Sequence, residues 1–442
     1  MVVLCFVALF LAYANLLQPV LQNGDSAVYN QQIDDRNLSE RTSHIGYFAL
    51  GIVFNALLPF GTELNMNIMV LSVGFLGLAA VYLTAKLLGQ SRWAALTPVV
   101  VALGLPSQVE GMLLSEVDVL SVAFVAMAFA CYLRGAAMPA GALFGFAVLV
   151  TPLSGPLLVL FILTANFGNT AGNWRAPLRR ILEFGGAAVL IYAPAVLTHY
   201  QDYVHGPRGI LNAPRSAFTL SQRVAHSVHF ITTELGLMLP FYVIGAALCL
   251  VSPRLKQARL PAIALLVSTI LMAAVGERFV DVPVQLPNLV LLGILPAVAL
   301  ASSARGVGFG LLVLFALCFV KVQSSYAGVR SEIGARARER EICLSIREQS
   351  GPRVPVLVAL KGWGQSRMFE RLTSSREQRA ITVDWRRFMR DQRGWLEPPG
   401  KYQFWFFRDV RKNQVEPLLE GYSLESRRAG PRALKVLVPR AR

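Results

Sequence analysis

Long apolar runs separated by short polar stretches organise the first three quarters of the chain. They fall near residues 2–20, 66–88, 93–109, 114–134, 138–151, 153–167, 182–198, 228–252, 260–275, 287–303 and 306–323. A helix needs about 20 residues to cross a hydrocarbon core, so the pattern predicts a polytopic α-helical membrane protein with about 11 membrane segments. The stretch "TPLSGP" (151–156) divides two short runs and predicts either two half-helices or one irregular passage. Residues 45–60, "IGYFALGIVFNALLPF", are apolar but short and predict an interfacial helix, because counting them as a span spoils the charge topology of the loops. After residue 323 the pattern changes. "VPVLVAL" (354–360), "RAITVDW" (379–385) and "KYQFWFF" (401–407) read as strands, while "GQSRMFERL" and "RKNQVEPLLEG" read as helices. The expected division is therefore a transmembrane domain over 1–323, with a first outside loop at 21–65, and a small soluble α/β domain over 324–442.

Composition agrees with the pattern: 54% of residues are hydrophobic and the mean hydropathy is +0.50, above the range of soluble domains. The first segment has no basic leader and no small-residue cleavage site, which predicts a retained membrane helix. The absent positive charge ahead of it predicts a native start upstream of Met1. Of the five cysteines, four lie inside apolar runs, and no spacing suggests a zinc site or a disulfide framework. They read as small buried hydrophobes.

Charge then orients the segments. Alternate loops collect Lys86, Arg92, Arg134, Arg175, Arg179, Arg180, Arg254, Lys256, Arg259 and Arg305, as cytoplasmic loops do. The opposite loops collect eleven of the thirteen acids ahead of residue 324, and all five histidines. The ionisable chemistry is thus expected on the extracytoplasmic side, in a bacterial inner membrane, with the C-terminal domain facing the same way. From Arg330 onward there are 25 Lys/Arg against 13 Asp/Glu, a net +12 out of +16 for the chain. Such a tail suits anionic lipid heads or an anionic acceptor. Membrane anchoring argues against nucleic acid as the partner.

Two acidic groups fall on the outer face. "QNGDSAVYNQQIDDRN" (22–37) brings Asp25 to the exit from the first helix, where Gly24 permits a tight turn. A carboxylate there is able to take a proton from a hydroxyl held beside it. Asp34 and Asp35, next to Arg36, read as a solvated loop or the cap of a short helix. "LPSQVEGMLLSEVDVLSV" (105–122) supplies Glu110, Glu116 and Asp118. One acid at a helix start is ordinary dipole complementarity; two clusters on one membrane face point to function. Arginines follow in the loop 199–226 (Arg208, Arg215, Arg223) and in "GERFVDVPVQLPNL" (276–289), which holds Arg278. The guanidinium fork suits phosphate; Arg215 and Arg223 read instead as headgroup anchors. His226 and His229 are spaced i,i+3 but lack a third ligand, so neither a metal nor any other cofactor is expected.

These residues carry a resemblance. "GDSAVY", "HIGYFALGIVFNALLPF" and "SQVEGMLLSEVDVL" resemble the N-terminal region of the GT-C glycosyltransferases, most of all the protein O-mannosyltransferase-like branch. Gly24-Asp25-Ser26 matches the exit from the first helix in that branch, and Glu116 matches its acidic motif after the third passage. His44, Gly46 and Tyr47 match its interfacial helix, without the prolines that normally accompany them. "ERFVDVP" is similar to a late Arg-Tyr motif, with Arg278 and Phe279 in place. The resemblance implies a GT-C-like membrane domain and a sugar donor on a polyprenyl phosphate. It also implies inverting transfer to a hydroxyl of a protein, lipid or glycan. Asp25 would be the general base, Arg278 with Arg208 would bind the lipid phosphate, and Glu116, Asp118 and His44 would orient the acceptor. A polytopic lipid or solute transporter or flippase remains the first alternative, and a non-catalytic GT-C-like membrane scaffold the second.

Overall fold

The computed structural model describes residues 1–20, 24–36, 44–169, 174–198, 219–275, 285–302, 307–360, 363–374, 378–396 and 400–440. Its helices follow in order: α1 (Val2–Ala14), α2 (Gly24–Asp34), α3 (Ile45–Leu57), α4 (Thr62–Leu87), α5 (Thr97–Leu103), α6 (Pro106–Leu113), α7 (Val117–Leu133) and α8 (Ala137–Val150). Then come α9 (Leu158–Leu163), α10 (Arg175–Thr198), α11 (Leu220–Leu235), α12 (Leu239–Val251), α13 (Lys256–Val275), α14 (Leu286–Leu292), α15 (Ile294–Ser302) and α16 (Val307–Ser350). Each of the eleven apolar runs carries helix, and the protein is a polytopic helical membrane protein. Among the described residues, four stretches are long and apolar enough to cross a bilayer: Thr62–Leu87, Arg175–Thr198, Leu220–Val251 and Pro253–Ala274. A fifth forms if α5 and α6, bent by 73° at their junction, make one broken span. Six further apolar helices among the described residues are shorter, of 10 to 17 residues, and α16 is a single helix of 44 residues with its apolar part at the start. At "TPLSGP", α8 stops at Thr151, which is extended ahead of Pro152, and a 3-10 turn (Pro152–Leu157) leads into α9.

The chain divides into two compact units. The first comprises residues 1–17, 36–60 and 65–330; the second comprises 18–35, 61–64 and 331–442. Within the first unit α7 packs along α8, and α8 along α10. Phe161 and Phe184 stack at 4.4 Å between them, with Tyr132 and Phe144 closing the cluster edge-on or tilted. The Arg180 guanidinium lies 4.2 Å from the Tyr132 ring centre and donates to the carbonyls of Ala165 and Phe167, closing the chain end beyond α9.

The second unit is built on a five-stranded mixed sheet. Its strands are β1 (Val354–Val358), β2 (Ile381–Val383), β3 (Tyr402–Phe406), β4 (Tyr422–Ala429) and β5 (Arg432–Pro439), in the order β2-β1-β3-β5-β4. β1 pairs parallel with β2 and β3, while β5 runs antiparallel to both β3 and β4. Helix α17 (Trp363–Thr373) makes the crossover between β1 and β2, as a parallel pair requires. One face of the sheet buries Leu357 and Trp405 against Ile342, Cys343, Ile346, Met368 and Phe369. The other buries Val356, Phe404 and Phe406 with Phe388 of α18 (Trp385–Arg390) and with Leu418 and Tyr422.

The helix expected over "RKNQVEPLLEG" is instead two 3-10 turns, Lys412–Gln414 and Glu416–Leu418. Pro417 has no N–H to give to a helix ladder. The β4–β5 hairpin, turning through Gly430 at a φ of 53°, was not expected from the sequence.

Candidate active site

The motif "HIGYF" opens α3 and fixes its approach to two other helices. His44 stands at the N-cap, half-buried, and its Nδ1–H donates to the Val150 carbonyl at the end of α8 (2.8 Å). Gly46 then meets the α8 backbone: a Cβ there would lie 2.9 Å from the Val150 nitrogen, so no larger residue fits without a shift. Tyr47 is fully buried and donates from its hydroxyl to the Ser115 carbonyl (3.0 Å). Ser115 lies in the left-handed region at a φ of 56°, which strains a residue carrying a Cβ. Its carbonyl and the Glu116 N–H, which donates to the Gly111 carbonyl (3.0 Å), shape the turn between α6 and α7. Gly111 allows that turn to close, since a Cβ would meet the Val119 side chain at 2.5 Å. Glu116 is the N-cap residue of α7 and Asp118 lies in its first turn. One turn further, the Ser121 and Ser154 hydroxyls are hydrogen-bonded. The structure therefore brings His44, Tyr47, Glu116 and Asp118 into one neighbourhood of the first unit.

Asp25 is the second residue of α2, which belongs to the second unit. The exit from the first segment is thus the head of a helix of eleven residues rather than an open loop. Positions 25, 29 and 32 share one face of it. Tyr29, Asn30, Gln32 and Ile33 are all buried, and among the described residues neither amide atom of Asn30 or of Gln32 has a hydrogen-bond partner. Buried amides left unpaired are rare and call for an explanation. Asp34, the last residue of α2, is exposed as expected, and it is also ion-paired with Arg371 (2.6 Å) and accepts from the Thr62 hydroxyl. Sequence reasoning missed Arg371, Glu63 and the two amides; the "NQQ" run beside Asp25 was the one visible signal.

Arg208 and Arg278 lie outside the described residues, as does Arg215. The two ends of the stretch that holds Arg278 are described. Arg223 donates to the Ala274 carbonyl (2.7 Å), a contact inside the protein where headgroup anchoring was expected. On the other side, Gln285 donates to Ser227 (3.3 Å) and to the Thr269 carbonyl (3.1 Å), and accepts from Asn288 (3.1 Å). Ser268 donates to Asn288 (2.6 Å). Four fully buried polar side chains thus fix the start of α14.

Residues 47–276 match the profile of Glycosyltransferase family 87, more than half of the chain. The chain belongs to glycosyltransferase family 87. No curated protein matches it in sequence. Solved structures extend the likeness to the whole chain. ArnT from Cupriavidus metallidurans, in a crystal structure bound to undecaprenyl phosphate, superposes with a TM-score of 0.64. The match covers 98% of this chain and 97% of that one at 14% identity. The Archaeoglobus fulgidus oligosaccharyltransferase in the apo form matches at a TM-score of 0.51 and 11% identity, over 92% of this chain and 66% of that one. The mycobacterial arabinofuranosyltransferase AftD matches at 0.57 and 12%, over all of this chain and 40% of its own. This family-87 glycosyltransferase has the GT-C fold.

Proposed function

We propose that this glycosyltransferase moves a hexose from a polyprenyl-phosphate donor to an acceptor hydroxyl at the extracytoplasmic face of a bacterial inner membrane. The observation that carries the reading is a family-87 chain sharing its fold end to end with ArnT, a protein that binds undecaprenyl phosphate. Asp25, at the head of α2, takes the proton of the acceptor hydroxyl as its oxygen attacks the anomeric carbon. The bond from that carbon to the lipid phosphate breaks, the configuration inverts, and the lipid phosphate leaves as an anion. Arg278 with Arg208 stabilises the charge that develops on it. An aspartate is a weak base at its reference pKa of about 3.9, so placing the hydroxyl contributes more than basicity. His44, Glu116 and Asp118 orient the acceptor. The amides of Asn30 and Gln32, unpaired among the described residues and each with donors and an acceptor, support a hydroxyl-rich ligand near α2.

The motif likeness to the protein O-mannosyltransferase-like branch makes polyprenyl-phosphate mannose the first donor to assay. The acceptor is a protein, a lipid or a glycan, and no cofactor is required. In membranes carrying the full chain and a labelled donor, Asp25→Asn is expected to lower transfer by at least about 100-fold. Undiminished transfer overturns the mechanism.

A broken span with a buried carboxylate, Glu234, also suits a transporter. Substrate counterflow in proteoliposomes without any covalent product would establish that reading instead.

A further inference from the structure

We propose that Arg371 is a positioning residue for sugar transfer. It grips the helix that bears Asp25 and makes the C-terminal domain part of the catalytic machinery; the inference rests on the reading of Asp25 as the base.

The grip begins in the sheet. Glu370 of α17 accepts from the Thr382 backbone N–H (2.9 Å) and from the Thr382 hydroxyl, fastening α17 to the edge strand β2. Arg367, one turn earlier, pairs with the same carboxylate at 3.4 Å. The next residue is Arg371, in the last turn of α17. Its Nη2 meets the Asp34 carboxylate at 2.6 Å and its Nε lies 3.4 Å from that of Glu63. Asp34 ends α2 and Glu63 lies in the first turn of α4. The Thr62 hydroxyl donates to the second Asp34 oxygen. Helices α2 and α17 pack directly on one another. A single guanidinium thus ties the end of the Asp25 helix and the start of α4 to a helix fixed on the C-terminal sheet.

Two observations favour positioning over plain stabilisation. The Asp34 side chain is 40% exposed, and ion pairs of that exposure contribute little to folding. The Arg371 side chain is only 17% exposed and touches two acids, so its loss leaves like charges facing each other at the base of α2. Those charges would push α2 away from its seat, and a displacement of about 1 Å at a reacting group costs up to about 100-fold in rate. Arginine is specifically required, because its planar fork reaches both acids while a lysine offers a point charge to one.

The test compares Arg371→Ala, Arg371→Lys and Asp34→Asn in the full chain reconstituted in proteoliposomes, reading kcat and donor KM separately. Arg371→Ala is expected to lower kcat about 10- to 100-fold with donor KM unchanged. Arg371→Lys is expected to recover part of that loss, and Asp34→Asn to reproduce a smaller part. A wild-type kcat in Arg371→Ala overturns the proposal. So does a loss of activity in all three variants that only tracks the folded fraction measured by gel filtration. If Asp25→Asn abolishes transfer while the Arg371 variants remain normal, this inference fails and the base reading stands. If Asp25→Asn stays active, the base reading itself fails.

Discussion

Gln403 lies fully buried on β3, beside Phe404, and among the described residues neither its amide nitrogen nor its amide oxygen finds a partner. An unpaired buried amide costs about 1–3 kcal/mol, and replacing it with an apolar group of similar shape removes that cost. Gln403→Met is therefore expected to stabilise the protein by about 1–2 kcal/mol, read as a raised melting temperature of the full chain in detergent. A lowered melting temperature would show that the amide has a role. Cys343, on the same side of the sheet as Trp405, is the opposite case: burial pushes its thiol up to about 12, and it behaves as the small hydrophobe expected of it. Such legibility at the residue scale depends on distance along the chain. His44, Gly46 and Tyr47 stood out because they are close neighbours in the sequence, and each makes a close contact with another helix or turn. Asp34 was unreadable because its partner, Arg371, is 337 positions away.

Among the elements, the passage predicted over 93–109 shows what an apolar run conceals. "GLP" (104–106) breaks it, since Pro106 holds Leu105 in the extended region and starts α6 at a new angle. The expectation of one passage overlooked this glycine and proline, and the groups that satisfy the freed backbone lie far away in sequence. Ser325 donates to the Gly104 carbonyl (3.2 Å). Buried Glu234 accepts from the Ser107 N–H (3.2 Å) and from its hydroxyl (2.6 Å), capping α6 from another helix. Without that carboxylate the head of α6 has unpaired donors in an apolar setting. Glu234→Leu is expected to destabilise the protein by about 1.5–3 kcal/mol, and Glu234→Gln, which keeps an acceptor, by less than half as much. Thermal unfolding in detergent checks both, and equal losses would mean that the charge, not the cap, is what matters.

At the scale of the whole molecule, the sequence showed the apolar segments and the domain class but not the membership of α2 in the second unit. That membership constrains topology. Residues 18–35 and 331–442 form one compact unit, and such a unit lies on one side of a bilayer. The side itself follows from the basic loops, which predict residue 254 in the cytoplasm and the sheet domain outside. Both Arg254 and Arg432 are exposed, so single cysteines at these positions report it. With a membrane-impermeant maleimide on spheroplasts, Arg432→Cys is expected to label and Arg254→Cys to label only after permeabilisation. Because Asp25 shares a unit with Arg432, the same experiment reports the side on which the proposed base lies. The reverse labelling pattern would place Asp25, the proposed base, in the cytoplasm, and would sink the proposed extracytoplasmic reading while leaving the family membership intact.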